Sequence, residues 1–143
     1  MKQILDASVA FKWAIPEPES DIAIQLRDEY REGIHRWFAP DVFSIEIAHS
    51  LTRSERQGRI PVGEADRLWT DVMTTAPTLA RSRLLLPRAI AISSHFRVGV
   101  YDCLYVALAE RRKCVLVTAD ERLVVNLRRH FPFITSLASL PGA

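Results

Sequence analysis

The sequence predicts an α/β protein: an α/β/α three-layer arrangement around a central, mostly parallel sheet of four to five strands, with a helical hairpin extending from it. Three observations carry this. Short strand-like segments at residues 2–5, 37–39 and 114–117 alternate with longer stretches whose apolar residues recur at three and four. The run Cys114 to Val117 is unbroken, as in a strand buried on both faces of a parallel sheet. More helices fall between the second and fourth strands than a minimal strand–helix–strand pattern needs, and the surplus reads as the hairpin.

The elements follow in order. Residues 2–5 form a strand ending at Asp6. Asp6 to Ile15 reads as a short helix stopped by Pro16 and Pro18. Ser20 to Glu32 is a helix with Ile22, Ile24, Leu26 and Tyr30 as apolar positions, closed by Gly33. Trp37 to Ala39 is a strand ending at Pro40. Asp41 to Gln57 is a helix whose apolar spacing comes from Ile45, Ala48 and Leu51; Gly58 ends it. Val62 to Thr75 is its hairpin partner. Pro77 to Ala80 reads as a weak strand, and Leu85 to Arg97 as a helix broken by Gly99. The next helix begins near Asp102, with Leu104, Ala107, Leu108 and Arg111 at three and four. After the strand at 114–117, Thr118-Ala119-Asp120 breaks the run. Glu121 to Arg129 is the last helix, Phe133 to Leu137 an edge strand, and Pro141-Gly142-Ala143 a frayed end.

A chain of 143 residues fits one domain, residues 1–143. At that size roughly 68–70% of the unfolded surface is buried, so no disulfide is needed. Cys103 and Cys114 lie in apolar surroundings and read as reduced core thiols. No paired-cysteine zinc spacing appears, and His35, His49, His95 and His130 are scattered. The N-terminus carries an acid at position 6 and no long apolar core, which excludes a signal peptide. No apolar run approaches the ~18 residues of a membrane span. The expected compartment is the cytoplasm, with no membrane partner.

The net charge of +2 is weakly basic. Arginines far outnumber the three lysines, Lys2, Lys12 and Lys113. Arginine's planar fork suits phosphate and carboxylate pairing. Composition alone leaves a merely solvated arginine surface equally open.

The acids are more informative. Asp6 follows the first strand and Asp120 the strand at 114–117, so in a parallel sheet both fall at one edge. Asp102 begins a helix near that same edge. Glu46 sits inside the helix 41–57 between Ile45 and Ile47 and has no lysine or arginine at three or four residues' distance. Each acid taken alone has a plain structural reading: Asp6, Asp102 and Asp120 as helix caps, Glu46 as a solvated helix residue. Taken together they strain it. Gathered carboxylates repel and raise one another's pKa. A divalent cation resolves this, and an all-oxygen set favours Mg²⁺ or Mn²⁺. A metal-bound water beside a scissile phosphate suits phosphodiester hydrolysis.

Four segments then match a known family in its order. They are Leu5-Asp6-Ala7-Ser8-Val9 with Lys12, Trp13 and Glu17; Glu46 within Ser44 to Leu51, followed by Arg56-Gln57-Gly58-Arg59-Ile60; Tyr101-Asp102 to Glu110; and Val117-Thr118-Ala119-Asp120-Glu121-Arg122-Leu123. The chain resembles PIN-domain ribonucleases of the VapC toxin type. That resemblance implies a PIN-like fold and a Mg²⁺- or Mn²⁺-dependent endoribonuclease, the toxin of a type II toxin–antitoxin pair. It implies a metal site of Asp6, Glu46, Asp102 and Asp120, assisted by the Thr118 hydroxyl, with Ser8 near a ligand or water. It further implies an RNA substrate, a cognate VapB-type antitoxin, a homodimer, and a higher assembly with the antitoxin.

Other residues keep two readings. Lys12 contacts phosphate or pairs with an acid. Trp13 reads as core or interface. Arg53, Arg56 and Arg59 form an RNA face or a solvated one. Phe11, Trp13 and Ile15 leave apolar surface suited to an antitoxin groove. Two functional alternatives stand beside the toxin. One is a PIN nuclease acting on DNA or in RNA processing. The other is a receiver-like or flavodoxin-like regulatory module without nuclease activity. Receivers carry paired acids after the first strand and a later strand-end lysine, and this chain has neither.

Overall fold

A computed structural model of the protein describes residues 1–141. Five strands form one sheet in which every pairing is parallel: β1 Lys2–Leu5, β2 Arg36–Pro40, β3 Thr78–Ala80, β4 Val115–Thr118 and β5 Ile134–Ser136. The spatial order is β3-β2-β1-β4-β5. The chain therefore winds outward from β1 to β3, returns across the sheet, and continues from β4 to β5. The reversal lies between β1 and β4, where open α/β sheets form a crevice outside the strand ends. A receiver or flavodoxin has the order 2-1-3-4-5, so the sheet itself departs from that alternative.

Among the described residues seven helices pack on the sheet or on one another: α1 Ala7–Ala14, α2 Ser20–Arg31, α3 Val42–Arg56, α4 Glu64–Met73, α5 Ser82–Phe96, α6 Val100–Arg112 and α7 Glu121–Leu127. A short 3₁₀ turn, Leu137–Ser139, follows β5. The last two residues of the expected frayed end, Gly142 and Ala143, lie outside the described residues.

Local chemistry explains most boundaries. Pro16 and Pro18 follow α1 and cannot extend it. Gly33 closes α2 at φ +84°, a left-handed conformation that costs glycine little. The hairpin of α3 and α4 is latched by Glu55, whose carboxylate accepts the Gly63 and Ala65 N–H groups at 3.0 and 2.7 Å. Trp69 adds an indole N–H bond to the Ser44 carbonyl at 2.9 Å.

The core spans both faces of the sheet. Ile4, Leu5, Leu116 and Val117 are buried, as a two-sided parallel strand requires. Trp37 stacks on Tyr30 with centroids 4.1 Å apart and donates its indole N–H to its register partner Gln3 at 2.9 Å. That bond satisfies a polar pair that would be costly to bury alone. Both cysteines are free thiols; Cys103 is buried and Cys114 half-buried.

Four expectations are corrected. Ile45 is not a core position of α3: it is 68% exposed, while Phe43, Ile47 and Leu51 are buried. At 100° per residue Ile45 points about 200° away from Phe43. The helix expected near Asp102 is present as α6, but its apolar contacts are not confined to the Leu104, Ala107 and Leu108 positions, because every residue from Cys103 to Ala109 is buried. It is a central helix, apolar on all sides. The helix expected from Leu85 begins three residues earlier, at Ser82, and its left-handed closing residue is Arg97 at φ 60° rather than Gly99. Ile15 is buried and adds nothing to an exposed groove beside Phe11 and Trp13.

Candidate active site

The crevice between β1 and β4 gathers the acids. A hollow of about 290 Å³ is lined by Asp6, Glu46, Asp102 and Asp120, together with Ser8, Lys12 and Glu17. The four carboxylates come from four places in the chain. Asp6 leaves the end of β1, Asp120 follows β4, Asp102 lies in the first turn of α6, and Glu46 sits in α3.

The cap readings separate here. Asp120 does cap: its carboxylate accepts the Arg122 and Leu123 N–H groups at 3.0 and 3.4 Å at the start of α7. Asp6 stands at the cap position of α1 yet makes no side-chain cap bond. Asp102 does not cap either, because Gly99 takes that position for α6. Two of the three boundary acids are thus released from helix-end duty and turned to the hollow.

Asp6 is the centre of a hydroxyl network. Its Oδ2 accepts the Ser8 hydroxyl at 2.5 Å and the Thr118 hydroxyl at 2.9 Å. Ser8 in turn accepts the Ala119 N–H at 3.0 Å, and Thr118 accepts the Asp120 N–H at 3.0 Å. The end of β1 and the end of β4 are so joined through side chains as well as through the Asp6 N–H to the Val117 carbonyl at 3.0 Å. Ser8 therefore holds a carboxylate and a backbone amide while lining the hollow.

Glu46 is held by Tyr105, whose hydroxyl donates to its Oε1 at 2.6 Å. Tyr105 is buried within α6, and a buried phenol usually finds a partner. Sequence reasoning missed this residue. Its signal was present: a tyrosine within an otherwise apolar helix, three residues after Asp102. Lys12 pairs with Glu17 at 3.4 Å and donates to the Pro18 carbonyl at 2.8 Å at the rim. Arg59 reaches the same Glu17 at 3.2 Å. Trp13 is packed against the core, donating to the Ala23 carbonyl and stacking near Trp37.

The electrostatics record the crowding. Burial raises the Asp6 carboxyl above the ordinary aspartate value; the Ser8 and Thr118 hydroxyls pull it down, and Asp120 pushes it up again. Burial raises Glu46 to about 7, opposed by the Tyr105 bond and reinforced by Asp6 and Asp102. Burial raises Asp102 to about 6, reinforced by Asp6 and Asp120 and eased by Arg122. The acids feel one another's charge, so they share one site.

Among the described residues no three Asp, Glu, His or Cys side chains are spaced as a ready-made metal-ligand group. Glu46 is tied to Tyr105 and Asp120 to the start of α7, so gathering the four on one cation asks for side-chain movement. The donor chemistry nevertheless fits a hard divalent cation: the lining carboxylates and hydroxyls offer oxygen, with no imidazole or thiolate among them.

Known proteins resemble this chain in sequence and in fold. The PIN-domain family model matches residues 4–126. Ribonuclease VapC3 of Pyrobaculum aerophilum is 30% identical over 125 residues, covering 86% of this chain and 92% of the relative. In fold, the chain is similar to the crystal structure of PAE2754 from Pyrobaculum aerophilum, with a TM-score of 0.69 at 20% identity over 97% of this chain and 94% of that one. With a hollow of carboxylates at the switch point of a parallel sheet, and a family match across most of its length, this chain belongs to the PIN-domain family.

Proposed function

We propose that the protein is a Mg²⁺- or Mn²⁺-dependent endoribonuclease, the toxin of a type II toxin–antitoxin pair. The observation that carries the reading is the convergence of Asp6, Glu46, Asp102 and Asp120 on one hollow, with raised proton affinity at three of them. The relative named as a ribonuclease supports RNA as the substrate class. Its VapC name supports a VapB-type antitoxin as partner, and a homodimer belongs to the same reading.

Asp6, Glu46, Asp102 and Asp120 would hold the cation, which supplies charge against the scissile phosphate and acidifies a bound water. The chain's own groups prepare that site. Ser8 and Thr118 fix the Asp6 carboxylate by two hydroxyl bonds, so it does not have to be ordered on binding. Tyr105 sets the orientation of Glu46 and leaves its Oε2 free of that bond. Glu46 lines the hollow with that oxygen open, where it would orient an attacking water. Lys12 stands at the rim, where its ammonium can meet a phosphate oxygen once Glu17 yields it.

The test is cleavage of a structured RNA by the purified chain in Mg²⁺. Asp102→Asn should abolish cutting while circular dichroism stays unchanged. An Asp102→Asn protein that cuts at the wild-type rate would refute the assigned role. Growth arrest on expression, relieved by the product of a neighbouring reading frame, distinguishes a toxin from an RNA-processing or DNA-directed PIN nuclease.

A further inference from the structure

A second hollow, larger than the acidic one, lies away from the acids and is basic. It has a volume of about 480 Å³ and shares no lining residue with the acidic hollow. Lys2, Arg81, Arg111, Arg112 and Lys113 line it, and no acidic residue does. These cations come from three separate parts of the fold: the start of β1, the junction of β3 and α5, and the end of α6. Among the described residues none of the five pairs with a carboxylate within 4.0 Å. Arg112 sits over Phe38, its guanidinium carbon 3.9 Å from the ring centroid, which restrains that charge. Burial raises the Cys114 thiol above its ordinary value, and Lys2 and Arg112 pull it back, so two of the charges act on one point.

Two arginines at the end of a helix suit its negative dipole and need no further explanation. Lys2 and Arg81 have no such reason to join them. Five like charges without a counter-ion repel one another, and an anion offsets that repulsion. A strand of RNA is such an anion. It also faces a difficulty at the acidic hollow, where four carboxylates repel its phosphates. Its affinity then has to come from elsewhere on the surface. The basic hollow is connected to the acids by α6 itself. From Asp102 to Arg111 the helix rises nine residues, about 14 Å at 1.5 Å each, a span of a few nucleotides.

We propose that this hollow is a docking site for the phosphodiester backbone of the RNA, remote from the bond that is cut. The inference rests on the nuclease reading for its substrate class. It predicts that long RNA uses both ends of α6 and that very short RNA uses one.

The experiment uses the full chain carrying Asp102→Asn, so that RNA stays intact, and reads binding of a fluorescent 30-nucleotide single strand by anisotropy. Arg81 and Arg111 are exposed, and the double variant R81Q/R111Q is checked by thermal melting. Two lost phosphate contacts should lower the slope of log affinity against log salt by about 1.4 and weaken binding roughly 25-fold at 0.1 M salt. In the otherwise wild-type chain, R81Q/R111Q should raise KM for the long strand and leave hydrolysis of a dinucleotide unchanged. An unchanged affinity and salt slope in a folded double variant would overturn the proposal. So would full displacement of the hollow-dependent binding by inorganic phosphate at constant ionic strength, which would assign a small-anion site. Failure of the nuclease reading shows separately, as absence of cutting by the wild-type chain while its binding of RNA remains measurable.

Discussion

The two ends of α6 carry opposite charge in opposite circumstances. At its start Asp102 joins three other acids in a partly buried hollow. At its end Arg111 and Arg112 join three other cations on an exposed surface. Asp6, Glu46 and Asp102 are desolvated, and their proton affinities are raised. The cations remain in water and simply go unpaired. Like charges in a buried site change their chemistry, whereas like charges on a surface wait for a partner. The helix dipole favours both placements, an acid in the first turn and bases in the last.

The largest effect expected is at the acidic end. Asp6→Asn or Asp102→Asn should slow RNA cleavage by at least ~10³-fold, on the order of 4 kcal/mol of transition-state stabilisation. The same variants should melt no lower than wild type in chelator, since one of several repelling charges is gone. A drop in melting temperature with cleavage retained would reverse the assignment of these acids from chemistry to structure.

Metal should act at the acidic end alone. Chelation should stop cleavage, and Mg²⁺ or Mn²⁺ should restore it. At 100 times its dissociation constant the ion should stabilise the fold by about 2.7 kcal/mol, read as a rise in melting temperature. In Asp6→Asn that rise should shrink.

Tyr105→Phe separates orientation from ligation. It removes the hydroxyl donor to Glu46 and should lower cleavage by an amount worth about 1.5–3 kcal/mol, the range for a hydrogen bond to a charged group. Because that bond favours the ionised carboxylate, the acid limb of the pH–rate profile should move to higher pH. A profile that stays in place would leave Tyr105 with a packing role only.

The pH dependence of stability sharpens the contrast further. Glu46 at about 7 and Asp102 at about 6 bind protons more tightly in the fold than in the unfolded chain. Metal-free protein should therefore lose stability as pH rises from their ordinary values near 4 up to about 7, and be flat above that. Glu46→Gln should flatten much of the slope in urea melts across that window. A stability that rises over the same range would contradict the shared site.

The smallest effect belongs to the misread face of α3. Ile45→Ser should change stability by no more than about 0.5 kcal/mol, because the side chain is 68% exposed. Ile47→Ala, two residues on and facing the core, should cost about 2–5 kcal/mol.

The order of strands and helices was legible in the sequence because period-two and period-3.6 patterns are local, and because Pro16, Gly33 and Gly58 punctuate them. So was the set of acids, since a parallel sheet sends Asp6 and Asp120 to one edge wherever the helices pack. The rotation of α3 was not legible: Ile45 and Ile47 are equal in composition, and the packing of α3 against α1 and α4 decides which is buried. Nor was the burial of α6 on all sides, which depends on α5 and the sheet closing over it. Tyr105 could not be matched to Glu46 across 59 residues of chain, and Lys2 could not be matched to Arg112. Sequence by itself determined the elements and the kinds of charge they carry. The tertiary structure decided which charges meet, because proximity between distant segments is set by packing and by no local preference of the chain.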